Sequence, residues 1–215
     1  INATTGDIKY TLNGGVYPEA AANGYVTGSG IYDGNIYCLG KGKTATSVTA
    51  PLTVVPLGDE VLIQGFVKDI SPAAPDTPAV SDEDMSEWMD YLHMQNATLL
   101  NNPPTPKGVT VRLSVVDPNS NCYEIGTTTS DSSGLYKLAW KPEIEGEYTV
   151  YATFDGSGSY WGSYATTALS VSAPAATATP EPTQAAPDNT ALLYGILAVG
   201  IIAIIMSAIA IFNKR

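Results

Sequence analysis

Histidine is almost absent from this sequence, and its scarcity limits the catalytic chemistry that the chain can support. His93 is the single histidine, and no G-x-S-x-G nucleophile motif accompanies it. No Cys/His spacing typical of zinc sites is present, and no glycine-rich phosphate loop follows a strand and opens a helix. The sequence therefore predicts no catalytic, cofactor-binding or metal-binding residue, and a protein that is not an enzyme.

Basic residues are also scarce. The chain has 10 Lys and Arg against 21 Asp and Glu, which gives a formal net charge of −11. Proteins that bind nucleic acid do so through basic patches that release counterions from phosphate. The composition therefore argues against a nucleic-acid partner, and it suits a surface exposed to salty or extracellular surroundings.

Cysteine is limited to Cys38 and Cys122, each within a strand-like run of a different segment. An extracellular setting permits a disulfide, and such a bond would tie the two segments together. The alternative is two buried free thiols, and this is the interpretation that we favour.

Two short constellations have spacings that metal sites also use. Met85, Met89 and His93 follow each other at intervals of four on a predicted helix, as ligands of Cu(I) could. Methionines that fill a gap between helix and sheet are the preferred explanation. Asp117, Asn119 and Asn121 alternate like calcium ligands, but no distal glutamate follows, so a β-turn is favoured.

The longest uncharged run lies near the C-terminus, where 21 residues from 192 to 212 carry no charge. A helix of this length crosses about 30 Å of hydrocarbon. We predict a single transmembrane helix over 191–213 and a cytoplasmic tail at 214–215. Because Lys214 and Arg215 follow the span, the positive-inside rule places the rest of the chain outside a cell membrane.

An outside location gives meaning to two further features. Asn2 and Asn96 each begin an N-x-Thr triplet, and both are predicted N-glycosylation sites. Residues 173–190 consist mostly of Ala, Pro and Thr without apolar periodicity, which predicts an extended stalk rather than a packed element.

The pattern of apolar residues in the middle of the chain, residues 43–172, predicts an all-β domain. The runs VTVRLSVV (109–116) and EYTVYATF (147–154) alternate apolar and polar residues, as strands do when one face is buried. Turn residues separate the runs at roughly ten-residue intervals, which is typical of a β-sandwich.

One segment interrupts the strand pattern with helical periodicity. Residues 81–95 predict a helix in which Ser81 is the cap, acidic residues stabilise the first turn, and a polar side faces water. The apolar stripe comprises Met85, Trp88, Met89 and Leu92, and the polar side includes Glu83, Glu87 and Asp90. Proline-rich loops flank the segment, so it is an insertion that packs on the sandwich.

The β domain resembles bacterial-type Ig-like domains of large surface proteins. The resemblance rests on a D-x-x-G turn, an aromatic strand, a P…G-x-Y-x-V-x-A strand and a glycine-rich turn. These correspond to Asp131 to Gly134, Tyr136, Pro142, Gly146, Tyr148, Val150, Ala152 and Gly156 to Tyr160. The resemblance implies an Ig-like fold and no catalytic residues.

Residues 1–42 resemble the last blade of a β-propeller of the pyrrolo-quinoline-quinone (PQQ)-binding-like repeat type. The matching positions are Ala3, Thr5, Gly6, Pro18, Ala22, Gly24, Val26, Asp33, Gly34, Ile36, Tyr37 and Leu39. Tyr10 stands where the blade tryptophan is usual, and Thr27 replaces an aromatic residue. The resemblance implies that the remaining blades lie upstream, and the combination is similar to the C-terminal part of archaeal surface proteins.

The expected fold is therefore mainly β, with a blade, an Ig-like sandwich with one helical insertion, a stalk and one membrane helix. We expect a non-enzymatic cell-surface module whose spacer and stalk present the propeller to a surface protein or a glycan. Two alternatives stay open. The chain could tether a propeller-type, quinone-dependent-like oxidoreductase whose catalytic blades lie upstream, or it could be a component of a surface layer.

Overall fold

Eleven strands and three helices form in the computed structural model, which describes residues 4–8, 11–12, 15–31, 33–93, 97–173 and 189–213. The chain divides into two units, residues 1–175 and 176–215, and each is described by itself. The strands are β1 Val16–Ala22, β2 Tyr25–Gly30, β3 Ile36–Leu39, β4 Thr44–Thr46, β5 Val55–Pro56, β6 Val61–Asp69, β7 Thr110–Val116, β8 Cys122–Thr129, β9 Leu135–Trp140, β10 Gly146–Phe154 and β11 Ser163–Ser172. The helices are α1 Met85–Leu92, α2 Ala97–Asn101 and α3 Thr190–Phe212.

The predicted β-sandwich is confirmed. One sheet has the order β4-β6-β9, and the other has the order β5-β11-β10-β7-β8. The chain passes from one sheet to the other between β6 and β7, between β8 and β9, and between β9 and β10. These Greek-key connections, with two sheets of this order, resemble an Ig-like sandwich.

The beginning of the sandwich is divided between the two sheets. β4 pairs antiparallel with β6, whereas β5 pairs parallel with the end of β11, where Val55 lies opposite Val171. The backbone N–H of Leu57 continues this pairing by donating to the carbonyl of Ser172 at 2.8 Å. The first part of the domain is therefore hydrogen-bonded to both sheets, a long-range arrangement that alternation alone does not predict.

The core lies between the two sheets and follows from the period-2 pattern. On β6, β7 and β10 every second residue points inward, so the inward side chains bury their apolar surface while their neighbours meet solvent. The fully buried members include Val61, Ile63, Val67, Val111, Leu113, Val115, Tyr136, Tyr148, Val150 and Leu169.

A tyrosine closes the connection between β9 and β10. Tyr148 is 1% exposed, and its hydroxyl donates to the carbonyl of Ile144 at 2.9 Å while accepting from the N–H of the same residue at 3.1 Å. A tyrosine near the start of this strand that bonds back to the backbone a few residues upstream is the tyrosine corner of Ig-like sandwiches. This contact supports the Ig-like interpretation independently of the strand order.

The helical insertion is shorter than predicted. α1 spans Met85–Leu92 rather than 81–95, and its N-cap is Asp84, which makes no side-chain cap bond. The prediction that Ser81 caps the helix is wrong, because its hydroxyl is buried and hydrogen-bonds to no described group. The predicted apolar stripe is confirmed, since Met85 and Trp88 are buried and Met89 and Leu92 pack against the same core.

The polar side of α1 also needs one correction. Asp90, which the sequence places on the solvent side, is only 3% exposed. The helix thus has a wider buried surface than a single apolar stripe provides.

The N-terminal segment forms a three-stranded antiparallel sheet in the order β1-β2-β3 within the described residues. Asn23 and Gly24 connect β1 to β2 with positive φ angles of 53° and 83°, the conformation of a two-residue hairpin turn. Gly34, with φ of 68°, lies in the connection of β2 to β3, which spans residues 31–35 and is longer than a two-residue turn. The three described strands pair antiparallel throughout, and the prediction that they form a propeller blade stays a prediction.

Candidate functional site

The C-terminal helix α3 is the feature with the clearest functional consequence. It has 23 residues, which at about 1.5 Å per residue give roughly 35 Å, longer than the hydrocarbon core of a bilayer. Its side chains from 190 to 211 are exposed, and it carries no charged residue. It is the one helix in the described part of the chain that is long and apolar enough to cross a membrane.

The few polar atoms of α3 suit an apolar surrounding. The hydroxyl of Ser207 donates to the carbonyl of Ala203 at 2.7 Å, so it needs no partner from outside the helix. Tyr194 lies one turn from the start of the helix, where amphipathic aromatic rings prefer the boundary between lipid and water. Transfer of the polar side chains of this helix into lipid therefore carries no large free-energy cost.

An acidic residue before α1 fixes the glycine-rich turn between β10 and β11. The carboxylate of Asp82 accepts from the N–H of Gly158 at 2.7 Å, the N–H of Ser159 at 2.9 Å and the hydroxyl of Ser157 at 2.9 Å. Partial burial alone would raise the pKa of Asp82, but these hydrogen bonds to the ionised form outweigh burial and lower it. Asp82 thus connects the helical insertion to the turn between β10 and β11 through hydrogen bonds. The sequence predicts only that it stabilises the first turn of the helix.

A second polar cluster lies near the other end of α1. Asp69 and Tyr160 are both buried, and the charge of Asp69 acts on the Tyr160 hydroxyl. Burial, followed by the charge of Asp69, raises the pKa of Tyr160 far above its usual value. Burial also lowers the pKa of His93, while the charge of Asp69 opposes that effect.

The N-terminal sheet contacts this same region. The hydroxyl of Tyr37 donates to the carbonyl of His93 at 3.3 Å, and the N–H of Thr11 donates to the hydroxyl of Ser86 at 3.4 Å. Tyr37 belongs to β3, Thr11 precedes β1 and His93 is the C-cap of α1, so the N-terminal segment contacts both ends of the helical insertion. The sequence does not predict this role, because it depends on contacts across more than fifty residues.

The two candidate metal constellations have structural explanations. Met85 belongs to the core and Met89 packs against it, which confirms that the methionines fill the space between helix and sheet. Among the described residues, no group of three or more His, Cys, Asp and Glu side chains is placed to hold a metal ion.

Asp117 forms the predicted turn. Its carboxylate accepts from the N–H groups of Asn119 and Asn121 at 2.9 and 2.7 Å and from the Asn121 side-chain amide at 2.9 Å. The hydrogen bond from the Asn121 side chain is the main cause of the lowered pKa of Asp117. The oxygen atoms of Asp117 that a calcium ion would need are thus used within the β7–β8 hairpin.

The cysteine prediction is half right. Cys38 and Cys122 are both free, as expected, but both are exposed rather than buried. Each points away from the packed side of its strand, since the neighbouring residues Tyr37 and Tyr123 are partly buried. The alternation of residues along each strand could have predicted that the cysteine is exposed. The apolar residues beside each cysteine instead favour a buried position.

The two glycosylation predictions cannot be placed in the fold. Asn2 and Asn96 lie outside the described residues, and so do residues 174–188 of the predicted stalk and the tail 214–215. Both asparagines remain predictions from sequence.

Similarity to known proteins was found among solved structures. No protein-family model matches the sequence, and no curated protein matches it significantly. The CARDB domain of a Pyrococcus furiosus protein, solved in complex with di-metal ions, is 15% identical with a TM-score of 0.33. That match covers 62% of this chain and 91% of the domain.

Two structures of a β-glucosidase from Listeria innocua also match, one in complex with isofagomine and one with glucose. Each is 10% identical, with TM-scores of 0.32 and 0.31, and the matches cover 65% and 64% of this chain. The chain spans only 18% and 17% of the lengths of those two structures. The fold assignment rests on strand order and on the tyrosine corner, and not on these alignments.

Proposed function

We propose that the chain is a non-enzymatic, membrane-anchored surface module, in which an Ig-like sandwich is held at a cell membrane by α3. The observation that carries the proposal is the helix itself, which has 23 residues without a charge and exposed side chains. An apolar surface of this size is unfavourable in water and favourable in lipid.

The orientation follows from charge. Lys214 and Arg215 are two and three residues beyond the end of the helix in the sequence, and the rest of the chain is strongly acidic. We therefore assign the C-terminus to the cytoplasmic side and the sandwich to the outside of the cell. The stalk at 173–190 then serves as the spacer between the sandwich and the membrane.

The N-terminal sheet supports a presenting role. One of its faces has Tyr17, Ser29 and Ile36 in one row across the three strands, and Tyr17 and Ile36 are 67% and 84% exposed. Exposed apolar side chains on a three-stranded sheet are typical of a sheet that packs on further β-structure. We propose that the rest of a β-propeller covers this face and that the propeller binds the partner.

Membrane extraction tests the anchor. Expressed in cells, the full chain should sediment with membranes, resist alkaline carbonate and require detergent for release. Two lysines in the helix, Ile201→Lys with Ile204→Lys, should release most of the protein, because each charge near the bilayer centre costs about 2.5–3.5 kcal/mol.

The matched control adds the same charge outside the helix. Leu52 and Val54 are exposed in a loop of the sandwich, so Leu52→Lys with Val54→Lys should leave the chain in the membrane fraction. Carbonate release of the unmodified chain, or equal release of both variants, would refute the anchor. Protease added to intact cells should digest the sandwich, and its protection would reverse the proposed orientation.

A further inference from the structure

The outward face of the five-stranded sheet is built from hydroxyl groups and two tyrosine rings. We call it the hydroxyl face and define it by Ser114 on β7, Thr149, Tyr151 and Thr153 on β10, and Tyr164 and Thr166 on β11. These positions alternate with the inward residues of the same strands, so they lie on one side of the sheet.

The two tyrosines stand diagonally on neighbouring strands, each beside a threonine. Tyr164 lies opposite Thr153, and Tyr151 lies opposite both Thr166 and Ser114. Opposite residues have Cβ atoms about 4.5–5.5 Å apart and diagonal residues lie about 7–8 Å apart, so the two rings and their hydroxyl neighbours form one continuous patch. Tyr164 is 71% exposed.

The hydroxyls of these six residues have no hydrogen-bond partner in the described part of the chain, whereas some hydroxyls elsewhere in the sandwich do. Thr44 and Thr46, for example, both bond to Ser163 between the sheets, at 2.8 and 2.7 Å. Six adjacent hydroxyl groups are therefore available to an external ligand without first breaking a protein contact.

The charged residues around the face determine which ligand charge it can accept. Its cation, Arg112, is held by Asp155, with Nη2 2.9 Å from one carboxylate oxygen and Nε 3.3 Å from the other. Glu124 and Glu147 point to the same side of the sheet, on β8 and β10. Glu147 accepts a hydrogen bond from the hydroxyl of Ser170 and keeps its negative charge. A face whose cation is neutralised and whose other charges are negative repels polyanions such as nucleic acid or acidic polysaccharides.

We propose that the hydroxyl face binds a neutral polysaccharide, with Tyr151 and Tyr164 stacking on sugar rings and the threonine and serine hydroxyls bonding to sugar hydroxyls. Tyrosine provides a rigid contact surface at low entropic cost, and small hydroxyl side chains provide adaptable hydrogen bonds. The proposal deepens the proposed function and rests on it, since the face meets external glycans only if the sandwich lies outside the cell.

Co-sedimentation with polysaccharides tests the site. The full chain, reconstituted in liposomes, is mixed with insoluble cellulose, xylan or mannan, and with pectate as an anionic polymer of similar form. We expect retention on at least one neutral polymer and none on pectate. Tyr151→Ala and Tyr164→Ala should each reduce retention about tenfold or more, whereas Tyr164→Phe, which keeps the ring, should retain most of it.

Trp161 provides the matched control. It is 55% exposed, but it precedes β11 and its ring lies 5.0 Å from the ammonium of Lys41, so it is not one of the residues that define the face. Trp161→Ala should bind as the unmodified chain does, and thermal unfolding should confirm that all variants fold.

The outcomes separate the possibilities. If no neutral polymer retains the chain, or if the tyrosine variants bind equally well, the proposal is wrong. If the tyrosine variants instead change the sedimentation coefficient in detergent, the face is a contact between copies of the chain, which also overturns it. Loss of carbonate resistance would count against the membrane anchor and not against the face, so the two failures are distinguishable.

Discussion

The hydroxyl of Tyr148 both donates to and accepts from the backbone of Ile144, at 2.9 and 3.1 Å. One buried side chain thereby satisfies two backbone groups at the connection between the sheets. Tyr148→Phe keeps the ring and leaves both groups without a partner, which should lower the free energy of unfolding by about 1–3 kcal/mol. Urea unfolding followed by tryptophan fluorescence measures the loss. Tyr151→Phe, on the same strand but outward-facing, should change it by less than about 0.5 kcal/mol.

Position 134 requires glycine for two reasons, its backbone conformation and the lack of space for a side chain. Its φ is +83°, and an added Cβ would lie 2.6 Å from the carbonyl oxygen of Val67. Gly134→Ala should therefore destabilise the sandwich by more than the roughly 1–2 kcal/mol that a left-handed backbone costs a non-glycine residue. Gly58→Ala is the control, because Gly58 has φ of +103° but open space around its Cβ position. Equal losses in the two variants would show that the contact with Val67 is unimportant.

Stability should fall in acid below about pH 4 because of Asp82. The pKa of Asp82 is lower in the folded chain than its usual value of 3.8, so the unfolded chain takes up the proton first as the pH falls. The contribution is therefore complete above that value and is lost as the pH falls through the folded pKa. Asp82→Asn should flatten this part of the curve of unfolding free energy against pH. An unchanged slope in the variant would mean that the turn at 157–159 is held by other contacts.

A second, milder loss should begin below about pH 6.5 because of His93. Burial lowers the pKa of His93 in the folded chain, so the unfolded state again binds the proton more readily than the folded state. Above pH 6.5 the imidazole is neutral in both states and contributes no pH dependence. His93→Gln should remove the slope between about pH 6.5 and the folded pKa while leaving the effect of Asp82 intact. A slope that persists in the variant would assign it to another group.

Both cysteines should react with a thiol reagent in the native chain. Cys38 and Cys122 are free and exposed, so mass spectrometry without reductant should show two added groups per chain. The single variants Cys38→Ser and Cys122→Ser should each show one. An unreacted native chain that gains two groups only after reduction would demonstrate a disulfide between them.

The strands of the sandwich could be predicted because the order of apolar and polar residues in each strand reflects which of its faces is buried. The alternation in β7 and β10 reflects one buried and one exposed face, and the stripe of α1 reflects packing on the sheet. The bounds of α3 could likewise be predicted, because the uncharged apolar run is itself a local feature of the sequence.

Features that depend on distant partners could not be predicted in this way. Asp82 resembles a helix-stabilising acid in sequence, yet its hydrogen bonds join residues 75 to 77 positions away. Nothing local distinguishes it from Glu83, which instead pairs with Lys107 at 3.0 Å. The parallel contact of β5 with β11 is only two residues long, too short for any pattern.

That short contact has a mechanical consequence. β5 and β11 run in the same direction, so a pull on the C-terminal end of β11 against the body of the domain slides the two strands past each other. Their hydrogen bonds, with that of Leu57 to Ser172, then resist the load together instead of opening one after another. A domain held by its last strand therefore resists a pull applied along that strand.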